Sequence, residues 1–137
     1  MEAMTIALRL GLVMAALMLG GCALAAEARE AEVIVNVNHS RFDPASFEFE
    51  TGTTVRFVIH NGDPIDHEFL LGDEADQERH ENGTHAEHGA IPGEVSLPAG
   101  STQSTTYTFT EPGKLIIGCH LPAHFAYGMR ADVTVTP

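Results

Sequence analysis

Tryptophan is absent from the 137 residues, basic side chains number only 7 against 19 acidic ones, and cysteine occurs twice. The shortage of Lys and Arg leaves a formal net charge of −12. That excludes a nucleic-acid binder, which needs a basic face to neutralise phosphates. No uninterrupted apolar run reaches the roughly 20 residues that a bilayer-spanning helix requires. The chain is too short for a large multidomain enzyme and fits a single domain. It is also 44% hydrophobic, too apolar for a charged disordered tail. Internal repeats are absent.

What is present begins with an export pattern. Arg9 precedes the apolar run that starts at Leu10, and small residues from Gly20 to Ala26 follow it. A short apolar core followed by a small-residue cleavage zone reads as a signal peptide over residues 1–26. Two processing sites compete there. Ala23, Leu24 and Ala25 fit small-x-small cleavage, which releases a soluble exported protein. Leu19, Gly20, Gly21 and Cys22 resemble a bacterial lipobox, which would lipidate Cys22 and attach the protein to a membrane. The expected location is therefore periplasmic or on the outer face of the membrane. Either route leaves Cys119 as the single thiol of the folded domain. Exported domains normally use cysteines in pairs, so a lone thiol needs another purpose, and metal ligation supplies one.

Residues 31–137 read as short strands separated by turns. Val33, Val35 and Val37 alternate on one face, and Phe47 and Phe49 alternate after a turn containing Pro44. Further strands are expected over 55–60, 67–71, 93–97, 102–110, 114–119 and 131–136. The intervening turns carry Asn61-Gly62-Asp63-Pro64, Pro98-Ala99-Gly100 and Glu111-Pro112-Gly113. About eight short strands at regular spacing predict an all-β antiparallel sandwich or barrel. Residues 72–92 interrupt the pattern as a long polar insertion, charged through 72–89, with room for a short helix over 74–81. Loops of this length within a compact domain tend to be functional or mobile. Residues 73–87 hold six acids against Arg79 alone, so much of the negative charge is local and would suit a basic redox partner or cation capture.

The chemistry concentrates in residues 118–129, where Cys119, His124 and Met129 form Cys-x4-His-x4-Met. A loop of this length can bring a thiolate, an imidazole and a thioether to one point. Two His, one Cys and a long axial Met suit a blue-copper site. The second His must come from elsewhere, and His67, opening an apolar strand after a turn, is favoured over His60. Met129 is the one Met after residue 18, so its place in the loop carries weight. Other readings of the loop remain. A lone Cys serves elsewhere as a small buried hydrophobe. A Cys–His nucleophile pair would need a third orienting group. Zinc would gain little from a Met.

At this point the sequence resembles the cupredoxin family, the type 1 blue copper proteins of the auracyanin, plastocyanin and azurin kind. The resemblance spans most of residues 31–137. It rests on Phe42, Pro44, Phe47, Phe49, Gly52, Val55, Phe57 and Asn61 in order, and on the ligand loop. It implies a Greek-key β-sandwich with His67, Cys119, His124 and Met129 as the ligands of one copper. It also implies that the ring edge of His124 reaches the surface among Pro122, Ala123 and Phe125. One position departs: Glu68 stands where many cupredoxins carry an Asn that pins the ligand loops, which puts that contact in question. The loop is also similar to the type 1 site of multicopper oxidases, through His120, Gly128 and Met129. Those enzymes carry His on both sides of the Cys and paired His-x-His motifs. Here Gly118 precedes Cys119, and no such pairs exist. A non-enzymatic, monomeric one-electron carrier working with redox partner proteins is therefore expected. Copper buffering, delivery or resistance is the alternative, motivated by His80, His85 and His88, which could meet on a second, weak metal.

Overall fold

A computed structural model describes residues 29–83 and 91–137. The expected signal peptide and lipobox lie outside the described residues, as do His85 and His88.

Nine strands and one helix are present among the described residues: β1 (Arg29–Val37), β2 (Phe42–Asp43), β3 (Ser46–Glu50), β4 (Thr53–Asn61), β5 (His67–Gly72), α1 (Glu74–Asn82), β6 (Glu94–Leu97), β7 (Thr102–Thr108), β8 (Gly113–Gly118) and β9 (Arg130–Thr136). They form two sheets, ordered β2-β1-β4-β7 and β3-β9-β8-β5-β6. The β1–β4 and β3–β9 pairs run parallel, and the remaining pairs are antiparallel. The result is the expected β-sandwich.

Period-two patterning sets which side chains enter the core. Along β4, Thr53, Val55, Phe57, Ile59 and Asn61 are buried, and along β1 Val35 and Val37 are. Phe57 is the hub of the aromatic core. Phe47 and Phe49 meet it edge-on at 6.3 and 6.0 Å, and Phe69 lies 5.3 Å away. Phe49 stacks on Phe109 at 4.8 Å. Edge-on and offset rings are the arrangements that the aromatic quadrupole favours.

Strand β5 departs from alternation, since all six of its residues are buried. Phe69 and Leu71 join the core, while Glu68 and Leu70 face the other way and are buried too. The cause is α1, which lies against β5 and β8. Part of the polar insertion is thus an ordered helix covering a sheet face. Asp73 caps it, accepting from the Asp76 N–H at 2.8 Å, and the Asp76 carboxylate accepts from the Asp73 N–H at 3.0 Å.

Several boundaries differ from the sequence expectation. β1 begins at Arg29 because its first residues pair with the start of β4. β7 stops at Thr108. The short β2 forms inside what reads as a turn, paired with the end of β1.

Candidate metal centre

The sandwich gathers the expected donors at one end. His67 is the first residue of β5, and Cys119 follows the last residue of β8. Residues 119–129 then fold back as successive turns. The Cys119 N–H donates to the Met129 carbonyl at 3.2 Å, and the Met129 N–H donates to the His124 carbonyl at 2.9 Å. The β8–β9 ladder sets Gly118 opposite Arg130, which fixes the mouth of the loop. Met129 is fully buried beside it.

His67, Cys119 and His124 each offer one ligand atom, and these atoms lie within 4.8 Å of one another. Nδ1 of His67 is 3.2 Å from Nδ1 of His124, which in turn is 3.3 Å from Sγ of Cys119. Donors bound at about 2 Å to a common ion stand roughly 3.3 Å apart, so the spacing fits a single metal. Soft thiolate with two imidazoles is the donor chemistry of copper.

Charge and hydrogen bonding prepare these atoms. The Asp63 carboxylate accepts from His67 Nε2 at 2.9 Å, and also from the backbone N–H groups of His39 and Ser40 at 2.7 and 2.8 Å. A carboxylate only accepts, so the hydrogen sits on Nε2 and Nδ1 presents its lone pair to the site. Partial burial pushes the Asp63 carboxyl up, but the donors from Ser40, His39 and His67 outweigh it and hold it below its ordinary value. Burial, reinforced by the neighbouring His67, lowers His124, which keeps that ring neutral and free to ligate. Burial pushes the Cys119 thiol up to about 11, against backbone N–H donors from Glu68 and Leu121. His124 is half-buried, with exposed Pro122 and Ala123 before it in the loop.

Glu68 answers the question its position raised. Its carboxylate accepts from the His120 N–H across the two ligand segments. An acidic side chain at this position therefore ties the two segments together. Asp63 and His120 were not read from the sequence as parts of the site. Asp63 carries a retrospective signal, sitting four residues before His67 in a turn. His80, one of the three residues expected in a second site, faces Glu94 at 3.4 Å, and the other two, His85 and His88, lie outside the described residues. His60 is distant in role, bonding to Thr102 between β4 and β7 at 2.8 Å.

The comparisons agree with this geometry. Residues 29–136 match the copper-binding proteins of the plastocyanin/azurin family. The copper-resistant cuproprotein CopI of Rubrivivax gelatinosus is 38% identical over 115 residues, covering 81% of this chain and 69% of that protein. CopI of Pseudomonas aeruginosa is 30% identical over 151 aligned positions, covering 86% and 82%. Among solved structures, auracyanin B shares the fold with a TM-score of 0.66 at 22% identity, covering 78% of this chain and 89% of that one. With its sandwich, its clustered donors and a family match across nearly all of the described residues, the chain belongs to the plastocyanin/azurin family of copper-binding proteins.

Proposed function

We propose that this protein is an exported type 1 copper protein serving copper tolerance, with one copper that His67, His124, Cys119 and Met129 would hold. The observation that carries the metal assignment is the prearranged set of two Nδ1 atoms and one Sγ, with His67 and Cys119 buried and His124 half-buried. Its use in tolerance is supported by the likeness to proteins named copper-resistant cuproproteins. Bound copper supplies a one-electron couple. Asp63 and Glu68 hold the donors in place, and burial of Cys119 and Met129 keeps water away. A closed set of four donors leaves no open position for a substrate, which supports binding and redox exchange rather than turnover. Residues 1–26 support export by their signal-peptide pattern.

One-electron transfer to partner proteins is the second reading. It is favoured by the partly exposed His124 ring within an apolar loop. A basic partner face would complement the acidic insertion.

Adding Cu(II) to the purified domain tests the centre. An intense blue thiolate-to-copper band is expected for the wild type, lost in Cys119→Ala and His67→Ala and kept in His60→Ala. A colourless wild-type complex would overturn the assignment. Growth of a deletion strain on copper, with and without the gene, tests tolerance. Reversible voltammetry of the blue protein, with electron exchange in a reconstituted mixture, tests the carrier reading.

A further inference from the structure

We infer that helix α1 is a positioning element for the copper loop, acting through a latch of Gln77, His120 and Glu81. The inference rests on the reading of Cys119 and its partners as copper donors. His120 follows Cys119 directly, yet its side chain turns toward α1 and is only 3% exposed. Its Nε2 meets Oε1 of Gln77 at 2.7 Å, and its Nδ1 meets Oε2 of Glu81 at 2.6 Å. The ring stacks on Phe125 of the same loop at 4.6 Å.

Gln77 cannot turn away. It is the buried residue of α1, and its Nε2 reaches the carbonyls of Leu70 and Gly72 at 3.4 Å and of Ile116 at 2.8 Å. Those carbonyls fix the amide with its nitrogen on β5 and β8 and its oxygen on His120. Gly118 leaves the space. A Cβ there would stand 2.4 Å from Gln77 Oε1 and 2.9 Å from the Phe125 ring. The helix has almost no apolar residue with which to dock, and nine residues are too few for a stable helix in isolation. Polar contacts through Gln77 and His120 therefore seat α1. In return they hold the residue next to the thiolate from its side chain, while Glu68 holds it from its backbone.

The test uses the full chain and the variants His120→Phe, Gln77→Ala and their double. Phe keeps the stacked ring and removes both ring hydrogen bonds. Copper affinity, read by chelator competition, is expected to fall about tenfold in each single variant, the range seen when groups supporting metal ligands are removed. The energy of the blue band and the copper hyperfine splitting should shift with it. The double variant should lose no more than the worse single, because the two residues act as one unit. Glu81→Gln, which spares the buried groups, should shift affinity in the same direction by less. The exposed Glu78→Gln should match the wild type. Wild-type affinity and spectra in folded His120→Phe and Gln77→Ala, or additive losses in the double, would overturn the latch. If the wild type gives no blue band, the donor reading fails on its own. The latch is then read in the metal-free protein, where faster exchange of the Cys119 and His124 amides in His120→Phe supports it and unchanged exchange overturns it.

Discussion

Cys119 is a thiol that burial keeps protonated until about pH 11, against 9.0 for an ordinary one. The unfolded chain releases that proton first, so the metal-free domain should lose stability as pH climbs from 9 towards 11, by up to about 3 kcal/mol. Urea midpoints across that window check this, with Cys119→Ala losing that part of the slope. The same proton must leave when a cation binds, so copper uptake should release acid. On the other flank, His124 resists protonation and Asp63 resists neutralisation, so folded stability should also decline as pH falls below 6.5. Asp63→Ala strands His67 Nε2 and two backbone N–H groups. It should weaken copper binding about tenfold, measured by chelator competition. The four residues proposed as copper donors were legible because three share one loop at fixed spacing and one opens a strand. Asp63 was not, and Glu68 and His120 were marked by position without their partners, since those contacts run across separate strands and the helix, which spacing does not encode.

Helix α1 teaches the corresponding lesson for elements. Its sequence is polar all round, so periodicity is silent about it, and only the Asp73-x-x-Asp76 cap marks its start. What orders it is tertiary, the seat on β5 and β8. Asp73→Ala should cost the helix about 1 kcal/mol, visible as faster amide exchange over residues 74–82 with the β-sheet amides unchanged. The two-residue β2 was missed for a related reason: a pairing that short has no alternation to read. Strands β4 and β7 were legible, because a half-buried face imposes period two on their residues.

For the whole molecule, the fold class was readable from strand spacing and turn residues, but the pairing order was not. The parallel β1–β4 and β3–β9 pairs join segments that no local signal connects. The core they enclose depends on Phe57. Phe57→Ala should cost about 3–5 kcal/mol, a large part of the 5–15 kcal/mol typical of a domain, and thermal unfolding would register it. Copper should offset some of that loss. At about 100 times its Kd, free ligand adds roughly 2.7 kcal/mol, so chelation should lower the melting temperature of the wild type and leave Cys119→Ala unmoved.

Strand β1 also sets a direction. It runs parallel to β4, with Arg29 level with Thr53 and Val37 level with Asn61, just before the Asp63 turn that supports His67. Nine residues of strand cover about 26 Å. β3 and β9 place Thr136 opposite Glu50, which also pairs with Arg29. Residues 29 and 136 therefore leave the sandwich together at the pole farthest from Cys119. A purification tag or surface linkage attached at residue 29 or 136 would sit at that end and leave the Cys119 pole uncovered.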